Sequence, residues 1–292
     1  ILALFIVTVP AGWAQQAKHL RVFISADMEG IAGVVNADQL GPGGVDYSLF
    51  RKLMTDEVNA AIEGALAAGA DKITVADSHG NELSILPDIL NPTAHLIRSG
   101  PRSLGMMEGV DQGFDAALLI GYHASINTPR AVRAHTLSSA RYFDVRLNGK
   151  HAGEAMLSAA IAGHFGVPVV LVSGDDTMVD EIHKTIDPGI VGVTVKRAIG
   201  YESAESVSPQ TADTLIRDAT TKALGGLDSF RPYVLSNPVT LEITFKNMIN
   251  AEILAFLPSV TREDGATIRF VGKDILEVER FLQVVGSYDS NK

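Results

Sequence analysis

Asp27 and Glu29 stand one residue apart, followed by Gly30, at the end of the apolar run Val22-Phe23-Ile24-Ser25-Ala26. Two carboxylates this close repel each other unless a cation lies between them, so the pair is a candidate start of a metal site. Three later apolar runs end in the same kind of chemistry: Asp77 and His79 after residues 72–76, His123 after 116–120, and Asp175 with Asp176 after 167–172. Glu154 sits in the first turn of an expected helix. Carboxylates and imidazoles without thiolates suit zinc or manganese, and there are enough of them for two ions. Two close ions can share a bridging carboxylate, activate a water and polarise a carbonyl or phosphoryl oxygen. Each residue alone has an ordinary reading. An Asp after a strand is a turn residue or helix cap, a lone His a core or turn residue, and a Glu in a first helical turn favours the helix dipole. Recurrence at four strand ends brings the shared site level with these ordinary readings.

Those side chains meet only if the elements carrying them share an edge. Residues 20–26 read as a buried strand. A loop follows, and then a long helix from Asp46, its expected N-cap, to Gly69, with Phe50, Leu53, Met54, Val58, Ile62 and Leu66 on one face. Strand, helix and strand (72–76) form a βαβ unit, which makes the two strands parallel. Further strands are expected at 93–97, 116–120, 132–138, 142–147, with a turn at Asn148-Gly149, and at 167–172 and 191–196. Helices are expected at 104–110, 152–164, from an Asp176 cap to 184, and at 209–224. Parallel strands put their carboxyl ends along one edge, where ligands bind in open α/β sheets. The expected fold class is α/β, a mostly parallel, Rossmann-like sheet flanked by helices, over residues 20–226. A smaller α+β C-terminal unit is expected over 238–288, from a strand (239–245), a helix (248–256), a strand (267–271) and a helix (274–285).

Of the 292 residues, 46% are hydrophobic and 20% charged, which suits a globular chain of one large or two smaller domains. The net charge of −10 and the lack of a basic stripe argue against a nucleic-acid partner. Without cysteine there is no thiolate catalysis, cysteine zinc site or disulfide, so any metal rests on His, Asp and Glu. Residues 1–9 are apolar but for Thr8, and Pro10-Ala11-Gly12-Trp13-Ala14 follows. This reads as a signal-peptide remnant over 1–14, too short to span a bilayer, with a mature start near Gln15 and a periplasmic or secreted address. A buried first strand is the other reading, and it would leave the protein cytoplasmic.

The motifs Asp27-Met28-Glu29-Gly30, Asp77-Ser78-His79, Gly121-Tyr122-His123-Ala124, His135 after a Thr-Pro turn, Gly153-Glu154 and Gly174-Asp175-Asp176 occur in order. With their intervals, they make the chain from Arg21 to Leu276 resemble the DppA-type D-aminopeptidases, a family of zinc metallopeptidases. The resemblance implies two zinc ions per chain. Asp27 would bridge them, Glu29 and His79 would complete one shell, and His123 and Glu154 the other. It names His135 as the catalytic histidine, a choice over His151 that the residues themselves do not make. Asp77, Asp175 and Asp176 remain either partners that orient imidazoles or caps. The expected reaction is hydrolysis of the peptide or amide bond after an N-terminal residue by a metal-activated water. The D-configuration is implied by the resemblance alone. His135 would move a proton to the leaving amine or attack directly; an imidazole titrates near working pH. The substrate is a short peptide or amino-acid amide, and a homo-oligomer is implied. A metal-dependent phosphatase or esterase could use the same groups, and a secreted cation-dependent binding protein would bind ligand without turnover.

Overall fold

The computed structural model describes residues 19–288, so the expected signal remnant at 1–14 lies outside the described residues. Four strands open the chain: β1 (Leu20–Ala26), β2 (Ala70–Asp77), β3 (Ala94–Ile97) and β4 (Ala116–Ile120). The hairpin of β5 (Tyr142–Leu147) and β6 (Lys150–His151) belongs to another sheet; β7 (Val169–Asp175), β8 (Val191–Gly200) and β9 (Ser203–Ser206) return to the first. The first sheet is seven-stranded in the order β3-β2-β1-β4-β7-β8-β9 and parallel except for the last pair. The order turns back between β1 and β4. There the connections diverge to opposite sides and leave a crevice at the strand carboxyl ends.

Every residue of β1 but Arg21 is buried, as a central parallel strand covered on both faces should be. Val22, Ile24 and Ala26 face a core built with α1 (Tyr47–Ala67) and α4 (Pro209–Gly225), which pack side by side, the Thr221 hydroxyl donating to the Gly64 carbonyl at 3.0 Å. Phe23 faces the opposite core, which contains α2 (Glu154–His164) and residues of α3 (Asp176–Thr185). Residues 154–163 of α2 are all buried; a helix that is apolar on all sides is enclosed by other elements.

The second sheet, five-stranded, has the order β11-β12-β10-β5-β6, with β10 (Val239–Phe245), β11 (Val260–Arg262) and β12 (Thr267–Gly272). Its strands are antiparallel. It alternates buried and half-buried residues along β10 and carries α5 (Met248–Leu254) and α6 (Ile275–Ser287). Segment 238–288 supplies β10 to β12 and both helices, and the β5–β6 hairpin comes from within 20–226. The expected α/β class, with a mostly parallel helix-flanked sheet and a smaller α+β layer, is the observed one.

Three local expectations change. Residues 132–138 are a loop, because Arg133 and Leu137 have left-handed backbone and the Asp175 carboxylate takes the Val132 N–H at 2.9 Å. Residues 104–110 do not form a helix but lead through separate 3-10 turns at Gly105–Met107 and Val110–Gln112, since Gly105 and Gly109 adopt φ of 53° and 95°. Asp175, not Asp176, caps α3 through the Met178 N–H, whereas Asp46 holds the expected N-cap position of α1, without a side-chain cap bond.

Candidate metal centre

The β1–β2 and β1–β4 ladders end level, with Ala26 opposite Asp77 and Ile120. Beyond that line the backbones stay in contact. The Asp27 N–H donates to the Ile120 carbonyl at 2.8 Å, Ser78 N–H to Ala26 at 2.8 Å, and Gly30 N–H to Gly121 at 2.7 Å. Asp27, Glu29, His79 and His123 are therefore launched from one edge. Glu154, the first residue of α2, arrives from the opposite side, and its Oε1 accepts the Leu137 N–H at 2.7 Å.

Ligand-type atoms gather into two groups, Asp27 with Glu29 and His79, and His123 with His135 and Glu154. His79 Nε2 lies 3.5 Å from Glu29 Oε1. His123 Nε2 is 3.4 Å from both Asp27 Oδ2 and Glu154 Oε2, which joins the groups through Asp27. All six expected site residues thus converge, although 127 positions separate Asp27 from Glu154 in the chain.

The imidazoles are held from behind. His123 Nδ1–H donates to the Ala124 carbonyl at 3.0 Å, and His135 Nδ1–H to Arg133 at 2.8 Å. His79 Nδ1 is 2.9 Å from Ser84 Oγ, which in turn lies 3.2 Å from the Tyr47 hydroxyl. This arrangement fixes the tautomer and turns Nε2 inward, as in metal-ligating histidines. Asp27 Oδ2, Glu29 Oε2 and His123 Nε2 are buried without a hydrogen-bond partner. Buried polar atoms are ordinarily paired; a cation between these atoms would satisfy all three. The donors, oxygen and imidazole nitrogen with no sulfur, fit zinc.

The electrostatics agree. Burial, then Glu29 and Glu154, drive the Asp27 carboxyl well above the ordinary range. Burial pushes Glu29 upward too, but His79, His135 and His123 together outweigh it and leave Glu29 well below the usual range. His123 is raised by Glu154 and Asp27 against the effect of burial. His135 moves the other way, lowered by burial and then by His123.

A cavity of about 380 Å³ opens onto Asp27, Glu29, His79, His135 and Glu154. The His135 side chain is 15% exposed and that of His123 1%, so His135 faces the cavity with His123 behind it. Leu282, Gln283 and Gly286 of α6 form the opposite wall. Arg141 holds that wall in place by donating to the Val285 and Gly286 carbonyls at 2.9 and 2.8 Å.

The other strand-end acids act on the backbone. Asp77 accepts the Ile85 N–H at 2.6 Å. Asp175 caps α3 and holds the His135 loop at Val132, and Asp176 accepts the Ala198 N–H at 2.7 Å. His151 lies on β6, 2.8 Å from Asp144 and away from the cluster. Sequence reasoning missed Ser84, Arg141 and the α6 wall. Ser84 had a faint signal, its position five residues after His79; the other two had none.

The family profile for D-aminopeptidases, peptidase M55, matches residues 20–284. A D-aminopeptidase of Bacillus subtilis (strain 168) is 32% identical over 267 residues, covering 91% of this chain and 96% of that protein. The solved structure described as the Zn-dependent D-aminopeptidase DppA from Bacillus subtilis, a self-compartmentalizing protease, superposes with a TM-score of 0.88 at 31% identity. It covers 93% of this chain and 99% of its own.

Proposed function

The chain belongs to the D-aminopeptidase family, peptidase M55, and on that premise we propose that it is a zinc-dependent aminopeptidase cleaving the peptide or amide bond after an N-terminal D-residue. The observation that carries this reading is the pair of ligand groups joined at Asp27 beneath a cavity faced by His135.

Asp27, Glu29, His79, His123 and Glu154 would hold two zinc ions, with Asp27 shared. Zinc bound there supplies Lewis acidity toward a carbonyl oxygen and makes water a competent nucleophile near neutral pH. The chain supplies the rest. With Nδ1–H committed to the Arg133 carbonyl, His135 presents Nε2 to the cavity. Burial and then His123 lower its pKa and so favour the neutral imidazole, the form that can accept a proton and return it to the leaving amine. The α6 wall narrows the cavity so that a short peptide or amino-acid amide, rather than a folded chain, would enter.

Homo-oligomeric assembly is part of this reading, supported by the neighbour's description as self-compartmentalizing and by exposed Phe143, Met248 and Phe256 in the second-sheet unit. Light scattering on the purified protein tests it. A periplasmic or secreted address is also proposed, from the apolar segment at 1–9, and N-terminal sequencing of exported protein tests that; no helix among the described residues is long and apolar enough to cross a membrane.

The deciding experiment is a substrate panel with the zinc-loaded protein: D-alanyl and L-alanyl p-nitroanilides, their amides, and an aryl phosphate. Turnover of the D-alanyl compounds above the L-forms is expected. Turnover of the aryl phosphate alone would replace the proposal with a phosphatase.

A further inference from the structure

Lys196 lies on β8, yet its side chain runs beneath the turn that follows β1. The residue is 2% exposed. Its Nζ donates to the backbone carbonyls of Glu29, Ile31 and Val34, at 2.5, 3.0 and 2.8 Å. An ammonium has three N–H bonds, and here all three go to one turn. Glu57 of α1, equally buried, accepts the Ala32 N–H of the same turn at 2.8 Å. Burying ionisable groups is costly unless they are fully hydrogen-bonded. A methionine and a leucine would fill the space of both residues more cheaply if packing were the only need.

What this turn carries is Glu29. The Glu29 carboxylate touches His79 through Oε1, and its Oε2 has no hydrogen-bond partner. Among the described residues, no side-chain hydrogen bond holds Glu29 Oε2 from behind as Ser84 holds His79. Its aim is therefore set by its own backbone. We propose that Lys196 is a positioning residue for the metal centre, fixing the Glu29 peptide through its carbonyl so that the carboxylate is held on the ligand cluster before any ion arrives. Glu57 holds the same turn from the helix side. The inference rests on the zinc reading above and adds a residue of β8 that touches neither substrate nor metal.

The test compares wild type with Lys196→Met and Lys196→Gln, with Ile216→Ala on α4 as a control for general destabilisation. Zinc per chain is counted by plasma mass spectrometry, zinc affinity is measured by chelator competition, and kcat and KM are measured on D-alanyl p-nitroanilide. The expected result is a folded Lys196→Met protein in which one of the two zinc affinities falls by about tenfold or more. The same variant should lose kcat while KM changes little. Lys196→Gln, which retains two N–H donors, should fall between. Ile216→Ala should lower the melting temperature and leave both zinc affinities intact. Should Lys196→Met fail to fold, Lys196→Gln decides by the same measurements. Unchanged zinc affinity and kcat in the folded variant overturns the proposal, and so does failure of both variants to fold, which assigns Lys196 to the fold as a whole. A wild-type protein that takes up no zinc instead defeats the zinc reading itself.

Discussion

The imidazole rings of His123 and His135 stack face to face, with centroids 4.1 Å apart and planes 9° from parallel. Both Nε2 atoms point at the same carboxylate: His123 is 3.4 Å from Glu154 Oε2 and His135 3.6 Å from Oε1. Two stacked imidazoles cannot both carry a proton cheaply, because like charges in a buried site repel. On the reading proposed above, the stack divides the roles: His123, buried against Glu154 and Asp27, would be the ligand, and His135, at the cavity face, would be the proton carrier.

That division predicts the outcome of His135→Ala. Turnover should fall by about 10²-fold to 10⁴-fold, the usual contribution of a positioned acid–base group, while zinc per chain stays at the wild-type value. Steady-state kinetics and metal analysis on one preparation check it. Loss of zinc along with activity would make His135 a ligand, as its membership of the second ligand group permits.

Removing metal should cost stability as well as activity. Asp27, Glu29 and Glu154 are all at most 7% exposed, and without a cation the buried Asp27 Oδ2, Glu29 Oε2 and His123 Nε2 are left without partners. Dialysis against a chelator should lower the melting temperature, and zinc titrated back should raise it in a concentration-dependent way. Zinc at 100 times its Kd contributes about 2.7 kcal/mol per site. Calorimetry across a zinc series measures this. A melting temperature indifferent to zinc would contradict the metal centre.

The Asp27-Met28-Glu29-Gly30 motif has a steric basis at its last position. A Cβ on Gly30 would lie 2.0 Å from the Tyr122 carbonyl oxygen, in the backbone crossing that places His123 beside Asp27. Gly30→Ala must push the two strand ends apart. It should destabilise the fold by about 1–3 kcal/mol and weaken zinc binding, because the ligands it separates belong to both groups. Chemical denaturation and chelator competition read the two effects.

Glu279 predicts a pH dependence. It is buried in α6 against Gly105, and burial pushes its carboxyl from 4.5 up to about 7, partly offset by the Gln283 side chain. A carboxyl raised in the fold favours the protonated state. Its stabilising contribution is therefore whole below the unfolded value of 4.5 and is lost as pH rises through about 7. Glu279→Gln should remove this dependence and leave the protein more stable than wild type above about pH 8, by on the order of 3 kcal/mol, with no advantage in acid. Melting curves across that range check the sign; an advantage that grows toward low pH would contradict it.

The strands of the first sheet were legible because their signal is local. An apolar run bounded by turn residues needs only its near neighbours to be a strand, and 20–26 and 116–120 have the expected limits in the structure. The long helix between β1 and β2 made those strands parallel, and that put Asp27, Glu29, His79 and His123 at one edge. Where the signal was misleading, the cause was a long-range contact or a glycine. Residues 132–138 have a strand's apolar pattern, but the Asp175 carboxylate, 43 positions away, claims the Val132 N–H and the loop turns back through left-handed residues.

The sequence by itself thus determined which side chains leave the parallel strands at a common edge, since alternation, crossover and strand direction follow from residues close in the chain. Only the tertiary structure decided which groups beyond those strands join them. It stacked His135 on His123 and left His151 on a surface hairpin, made Asp77, Asp175 and Asp176 backbone acceptors, and brought Lys196 under Glu29 from the far side of the sheet. The path of a loop is fixed by the distant surfaces it packs against, and those surfaces exist only once the sheet has assembled.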